Sequence, residues 1–437
     1  MHGQYIEQVT CGSPISAVAL VTPAGEVPLV PRTAGPSDSM RPLHPADLAA
    51  RWAAVSLGAT LASGLWLRAS LTWPQLTGGA NLLFGIHAHS HVAFFGWLVL
   101  GVAALAARQV KWNDRSVGQW RLLVHLLGGL SLVALVAFLL MGYAAPTIVL
   151  SAVHVLLWIP LARLAWPAHH ATTAQRAWWQ AAWMALLASG AATLIPGVLA
   201  ARGVRDGWWR EFGIKLFLAI FLNGFAGLAA MGVVLGRANH SPNVERVATL
   251  VRRTIAVALI PLAVLYVATP PPLAWMPWMG RAAVGLLGAA TMAVVVMSWR
   301  HHASLWMRVS LMAMAVCGVL EMIAASGVGA ELLHSRPITI AFTHLLLLLT
   351  ISPIVGASLA VARVPVLRPM LATVGATTMC AAVAALGWPW LSARASATGL
   401  GPLDLLKLAT FGGAVAAVAW FALLPLLAGA RASEVLE

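Results

Sequence analysis

The sequence predicts an all-α membrane protein of about twelve transmembrane helices. Three observations carry that reading. First, 60% of the 437 residues are apolar and only 9% are Asp, Glu, Lys or Arg, against roughly a quarter in an ordinary soluble domain. Second, the mean hydropathy is strongly positive, while a soluble fold of this size keeps about a quarter of its unfolded surface wet. Third, apolar runs of about 20 residues alternate with short loops carrying Arg, Pro or Gly; about 20 residues rising 1.5 Å each cross the hydrocarbon core. A soluble globular enzyme, a nucleic-acid-binding domain and a disordered chain are excluded.

Residues 1–45 are rich in Pro, Gly and Ser and contain no apolar run long enough for a signal-peptide core. They read as a disordered cytoplasmic tail, with Met40 as an alternative start. The transmembrane domain follows over 46–430, and 431–437 form a short cytoplasmic tail. The expected spans are 49–71, 84–107, 121–142, 145–166, 176–200, 211–236, 249–269, 278–299, 303–326, 337–361, 366–388 and 402–429. The third and fourth are separated only by the short turn from Gly142 to Pro146.

The net charge of +14 is a topology signal. Its basic residues are thinly spread and flank the apolar runs, as in a protein oriented against an anionic leaflet. With the N-terminus inside, Lys and Arg favour the inner loops by about two to one, and an even helix count puts both termini in the cytoplasm. Such a chain is expected in an inner (cytoplasmic) membrane, among lipid. Trp178-Trp179, Trp208-Trp209, Trp275 to Trp278 and Trp388 to Trp390 cluster at expected helix ends and read as an aromatic belt. The three cysteines, Cys11, Cys317 and Cys380, form no CxxC pair. Cys317 and Cys380 read as small buried hydrophobes.

Polar side chains inside a bilayer are costly and usually functional. Here they are dominated by histidine. The second span opens with His87-Ala88-His89-Ser90-His91. His87 and His91 are four apart and share a face. His89 is turned by about 200° from His87 at about 100° per residue, so two separate tasks are expected. His89 is placed to ligate one group; His87 and His91 are placed to clamp a metal or to bond headgroups and loop carbonyls. His344, in Phe342-Thr343-His344, stands near the start of the tenth span. In the expected topology its depth differs from that of His89 by about 3 Å, at about 1.5 Å per residue. Two histidines at one depth on different helices can ligate one iron from opposite sides.

His154, Glu321, Glu331 and His334 also fall in the outer half or its loops. His125, His169, His170, His240, His301 and His302 read as interfacial residues on the cytoplasmic face. Lys215 and Asn223 lie on the sixth span, and Asp404 and Lys407 are spaced to pair on one face of the twelfth. Glu321 has no obvious local partner and reads as a proton-carrying or metal-binding carboxylate.

With these residues in place, the chain resembles the haem–copper oxidase superfamily, that is, cytochrome oxidase subunit I and the nitric oxide reductase large subunit. It is most similar to the divergent bacterial branch with a "HAHSH…GW" second helix, here running from His87 to Gly96-Trp97. The resemblance covers about residues 49–429 in architecture, and its motif match is confined to the second, sixth and tenth helices. It implies a subunit I-like bundle and one low-spin b-type haem with His89 and His344 as axial ligands. His91 or His87 remain alternatives by register. Ser90 and Thr343 are expected to orient the rings from a second layer.

The sequence also departs from the superfamily. The sixth helix reads Phe217 to Phe225 without a histidine, with Ala219 about where relatives carry one. The seventh has none either, and residue 342 is Phe where a HxH pair would serve two haems. The standard copper centre is therefore expected to be missing. A rebuilt copper or zinc site would draw on His87, His91, His154, His334 and Glu321. The reading that follows is electron transfer or redox and gas sensing, with a redox partner subunit or cytochrome and no nucleic acid. The rivals are a divergent oxidase or nitric oxide reductase, a twelve-helix transporter without haem, and a membrane protein that binds only zinc or copper.

Overall fold

A computed structural model describes residues 43–204, 207–236, 242–302, 304–327, 332, 334–360 and 367–428. The N-terminal tail with Cys11 and Met40, the C-terminal tail and Glu331 lie outside the described residues. Twelve described helices are long and apolar enough to cross a membrane: α1 Pro45–Thr72, α2 Leu82–Ala107, α3 Asp114–Met141, α4 Ala145–Ala165, α5 Thr173–Leu199, α6 Trp208–Leu235, α7 Val244–Leu265, α8 Met276–His301, α9 Leu305–Ala324, α10 Arg336–Leu359, α11 Leu367–Gly387 and α12 Pro402–Leu427. The chain is an all-α multi-pass membrane protein. Helices are the natural spanning unit because each satisfies its own backbone polar groups where no water can do so.

Local signals set the helix ends. Asn81 Oδ1 accepts from the N–H groups of Leu83 and Phe84 at the start of α2. Asn113 and Ser116 form a reciprocal capping box on α3. Between α11 and α12 lies a further short helix, Pro389–Ala397, that the hydropathy pattern does not announce.

α2 and α6 are the most enclosed helices. Large apolar side chains elsewhere, such as Leu140, Val257 and Val296, are more than 70% exposed, as lipid-facing residues should be. Close crossings rest on glycine. Between α11 and α12, a Cβ on Gly375 would stand 2.6 Å from the Gly412 carbonyl oxygen, and one on Gly412 would stand 2.7 Å from that of Gly375. Small residues of this kind let membrane helices approach at backbone distance.

Two sequence expectations are corrected. Trp178, Trp179 and Trp208 are buried inside the bundle, whereas Trp209, Trp275 and Trp278 are exposed; the interior residues fill core space, and only the exposed ones suit a belt. His302 is likewise buried, with its Nε2–H donating to the Val234 carbonyl at 3.0 Å, so it ties two segments together and does not sit on a wet surface. Asp404 and Lys407 do pair, at 3.7 Å on a half-exposed face.

α2 and α10 are clasped at one end. Trp97 Nε1–H donates to Ser352 Oγ at 2.8 Å. The Arg108 guanidinium donates to the carbonyls of Ser358 and Leu359 at 2.6 and 3.0 Å. Around these bonds, Val99–Ala107 packs along Ser352–Leu359. The opposite halves, Leu82–His91 and Arg336–His344, make their main contacts with α1 and α3 and with α11, respectively. The two helices therefore diverge toward the ends that carry the histidines.

Two measurements test this clasp and its surroundings. Arg108→Ala should lower stability by about 2 kcal/mol or more, since hydrogen bonds to charged groups carry about 1.5–3 kcal/mol each; thermal unfolding in detergent reads it. His44 caps α1 by accepting from Ala46 N–H at 3.2 Å, which requires a neutral Nδ1. Burial holds its pKa below the ordinary 6.5, with Asp47 pulling it up and Arg108 pushing it down. A depressed imidazole pKa makes this cap fully effective above about pH 6.5 and weaker as the pH falls below it. The unfolding midpoint of the parent should therefore drop more steeply between about pH 7 and 5 than that of His44→Ser, which caps without titrating.

Candidate functional site

The histidine-rich turn of α2 splits as its spacing requires. His87 and His91 face α3. The His91 ring stacks on Phe138 at 3.9 Å, and His87 meets Tyr143 edge-on at 4.4 Å. His89 faces α1. Its Nδ1 lies 3.1 Å from the Thr60 carbonyl and 3.2 Å from Ser63 Oγ. A carbonyl only accepts, so Nδ1 carries the proton and Nε2 carries the lone pair.

His344 repeats this arrangement on α10. Its Nδ1–H donates to the Ile340 carbonyl one turn back at 2.8 Å, which again leaves Nε2 as the lone-pair nitrogen. His89 and His344 lie within electrostatic reach of one another. Both are half-buried, as are Ser63 and Gly64 beside His89. The divergence of α2 from α10 thus lines a crevice with two imidazoles, each held through Nδ1 and each with an unengaged Nε2. This is how ligating histidines are commonly fixed, because the bond at one nitrogen sets the tautomer and aim of the other.

α1 contributes more than the sequence alone suggests. At Gly64 a Cβ would stand 2.8 Å from His89 Cε1, so the imidazole sits directly against bare backbone. Arg68, one turn further along, lies within reach of both His89 and His344. Thr60, Ser63 and Gly64 are small or polar residues at helical spacing in an apolar run, a signal that was present in the sequence. Arg68 has the look of an ordinary topology charge until the fold brings it to the crevice.

Ser90 and Thr343 do not take the orienting role expected of them. Ser90 Oγ donates to the Ile86 carbonyl and Thr343 Oγ1 to that of Thr339, each at 2.8 Å. Residues adjacent to a helical histidine point about 100° away from it, and their hydroxyls satisfy the preceding turn. The rings are held instead by Thr60, Ser63 and Ile340.

The five residues considered for a rebuilt metal site are dispersed. His154 is buried with both nitrogens engaged: Trp158 Nε1–H donates to Nδ1 at 3.1 Å, and Nε2 lies 3.0 Å from Ser131 Oγ. His334 is exposed, with Nε2 3.3 Å from the Leu265 carbonyl. Glu321 is buried in α9. His91 uses Nδ1 on the His87 carbonyl at 2.8 Å and, with His87, stays on the α3 side. Among the described residues no three His, Cys, Asp or Glu side chains are grouped to hold a metal ion.

Wide, π-helical turns interrupt α2 at Val92–Leu98, α6 at Ile220–Gly227 and α10 at Leu345–Ile351. Two of them begin directly after His91 and His344. Such turns are rare and often mark functional segments.

No family model and no curated protein matches the chain.

The saturated state of His154 has a measurable consequence. His154→Leu should lower the thermal midpoint in detergent, at a cost of about 1–3 kcal/mol for each polar group left unpaired. Adding Trp158→Phe to it should recover part of that loss, because the indole N–H stranded by the first change is then removed, whereas the Ser131 hydroxyl keeps its bond to the Leu127 carbonyl.

Proposed function

We propose that the chain is a membrane-embedded b-type haem protein, with one low-spin haem in the α2–α10 crevice and His89 and His344 as its axial ligands. The observation that carries this reading is the matched pair of imidazoles, each fixed at Nδ1 and each presenting Nε2, on helices that separate at that level. The residues fit the group chemically. Thr60, Ser63 and Ile340 hold the two rings, and Gly64 makes room for one of them. Arg68 supplies a positive charge beside both imidazoles, which suits the propionate carboxylates of a haem.

When bound, the haem supplies a one-electron iron couple whose potential responds to axial ligands, burial and nearby charge. With both axial positions taken by histidine, the reading is electron transfer or redox and gas sensing. The Lys and Arg distribution supports cytoplasmic termini, which puts the crevice toward the outer face, and the resemblance to a bacterial branch points to a bacterial inner membrane. A redox partner, either a subunit or a cytochrome, would meet it there.

The twelve-helix bundle suits a transporter equally well. The oxidase or nitric oxide reductase reading needs a second metal beside the haem, and the metal-only reading needs zinc or copper in its place; both would rest on ligands from His87 and His91.

The deciding experiment is a reduced-minus-oxidised absorption spectrum of the purified protein in detergent, with iron and copper quantified on the same sample. The expected result is a low-spin b-type spectrum with one iron per chain, lost in both His89→Ala and His344→Ala and kept in His87→Ala. Gly64→Val should weaken or shift the spectrum by displacing His89. Copper in near-equal amount would favour an oxidase-like centre. A colourless, iron-free protein after expression with ample haem would overturn the proposal and leave the transporter and metal-only readings.

A further inference from the structure

A second polar site lies in the bundle, away from the α2–α10 crevice. It is a cavity of about 20 Å³ walled by α6, α8, α9 and α10. Most of its lining is apolar or backbone, but four polar residues converge on it: Asn223, Thr291, Thr350 and Glu321. Glu321 is 3% exposed, and its Oε2 is buried without a hydrogen-bond partner. Neither the Asn223 amide nor the Thr291 hydroxyl bonds any described residue. Thr350 Oγ1 has only long contacts, 3.5 Å to the Leu345 carbonyl and 3.9 Å to Cys317 Sγ.

These features fit one occupant by size and chemistry. A single water needs roughly 10–15 Å³ of such space and two to four polar partners, and the cavity offers both. The carboxyl decides the charge state. No Lys or Arg among the described residues pairs with Glu321, and an ionised carboxylate without a cation is strongly disfavoured inside a membrane bundle. The titratable groups within electrostatic reach are Tyr266, just past the end of α7, and Cys317 on α9. Neither carries a positive charge. The groups that α6, α8 and α10 present to the cavity are neutral amide and hydroxyl.

We infer that the cavity holds one water molecule and that Glu321, as the neutral acid, donates its proton to that water, forming an exchangeable proton-binding site inside the bundle. Asn223, Thr291 and Thr350 complete the hydrogen bonds of the water. The wide turns of α6 and α10 supply Asn223 and Thr350, so the irregular backbone places polar side chains where a regular helix would place others. The site is independent of the haem reading and uses none of its residues.

Infrared spectroscopy of the purified full-length protein in H2O and D2O tests it. The parent should show a carbonyl stretch of a protonated carboxylic acid that shifts down in D2O. That band should be lost in Glu321→Gln, with all other carboxyl groups cancelling in the difference spectrum. Asn223→Leu and Thr350→Val should keep the band but move it up, toward the position of an acid without a hydrogen-bonded water. A folded Glu321→Gln protein whose spectrum superimposes on that of the parent in this region would overturn the inference, because Glu321 would then be ionised. A band unmoved by both cavity variants would overturn it as well, because the acid would have no water partner. If Glu321→Gln does not accumulate as folded protein, the two cavity variants still decide the matter.

Discussion

The hydrogen bond from Trp97 to Ser352, with the Arg108 guanidinium below it on the carbonyls that end α10, joins the two histidine-bearing helices at one end only. Lipid gives no hydrophobic drive for helices to associate, so membrane bundles rely on close packing and on bonds of this kind. A clasp at one end sets both the spacing and the angle at the other. Beyond these bonds the histidine-bearing ends of the two helices separate and pack on other helices, that of α2 on α1 and α3 and that of α10 on α11. Arg suits the task because its planar fork reaches two carbonyls at once without losing its charge.

Imidazole tautomers divide the histidines more sharply than burial does. His89, His91 and His344 each give Nδ1–H to an oxygen and keep Nε2 free. His154, deeper than any of them, accepts at Nδ1 from Trp158 and uses Nε2 on Ser131. It is a satisfied core histidine with no nitrogen to offer. Depth alone would have ranked it as the better ligand, and hydrogen-bond accounting reverses that order.

The twelve spans were legible in the sequence because hydropathy over about 20 residues is a strong one-dimensional signal; the ends fall within a few residues of expectation for nearly every helix. The two faces of the His87–His91 turn were legible for the same reason, since helical phase is fixed by residue spacing. What holds His89 and His344 was not legible. Two of the three groups are backbone carbonyls, of Thr60 and Ile340, and a carbonyl has no residue-type signature. The sequence drew attention to Ser90 and Thr343 because they are neighbours along the chain, yet adjacency in a helix points side chains apart. Trp178 and Trp179 look like belt residues by position, and only tertiary packing shows them facing inward.

The wide turns in α2, α6 and α10 bear on how such a protein can change. Each uses about one residue more than a regular helix would, and one residue is worth about 100° of rotation. The half of α2 that carries the imidazoles is thus out of phase with the half that grips α10. Loss of a single residue from Val92–Leu98 would leave the span and every histidine in the chain, yet swing those histidines toward a different neighbour. Substitution cannot achieve this, because it alters a side chain without altering its azimuth. The orientation of the crevice is therefore inherited as a count of residues, and insertion or deletion is the genetic event to which it is most sensitive.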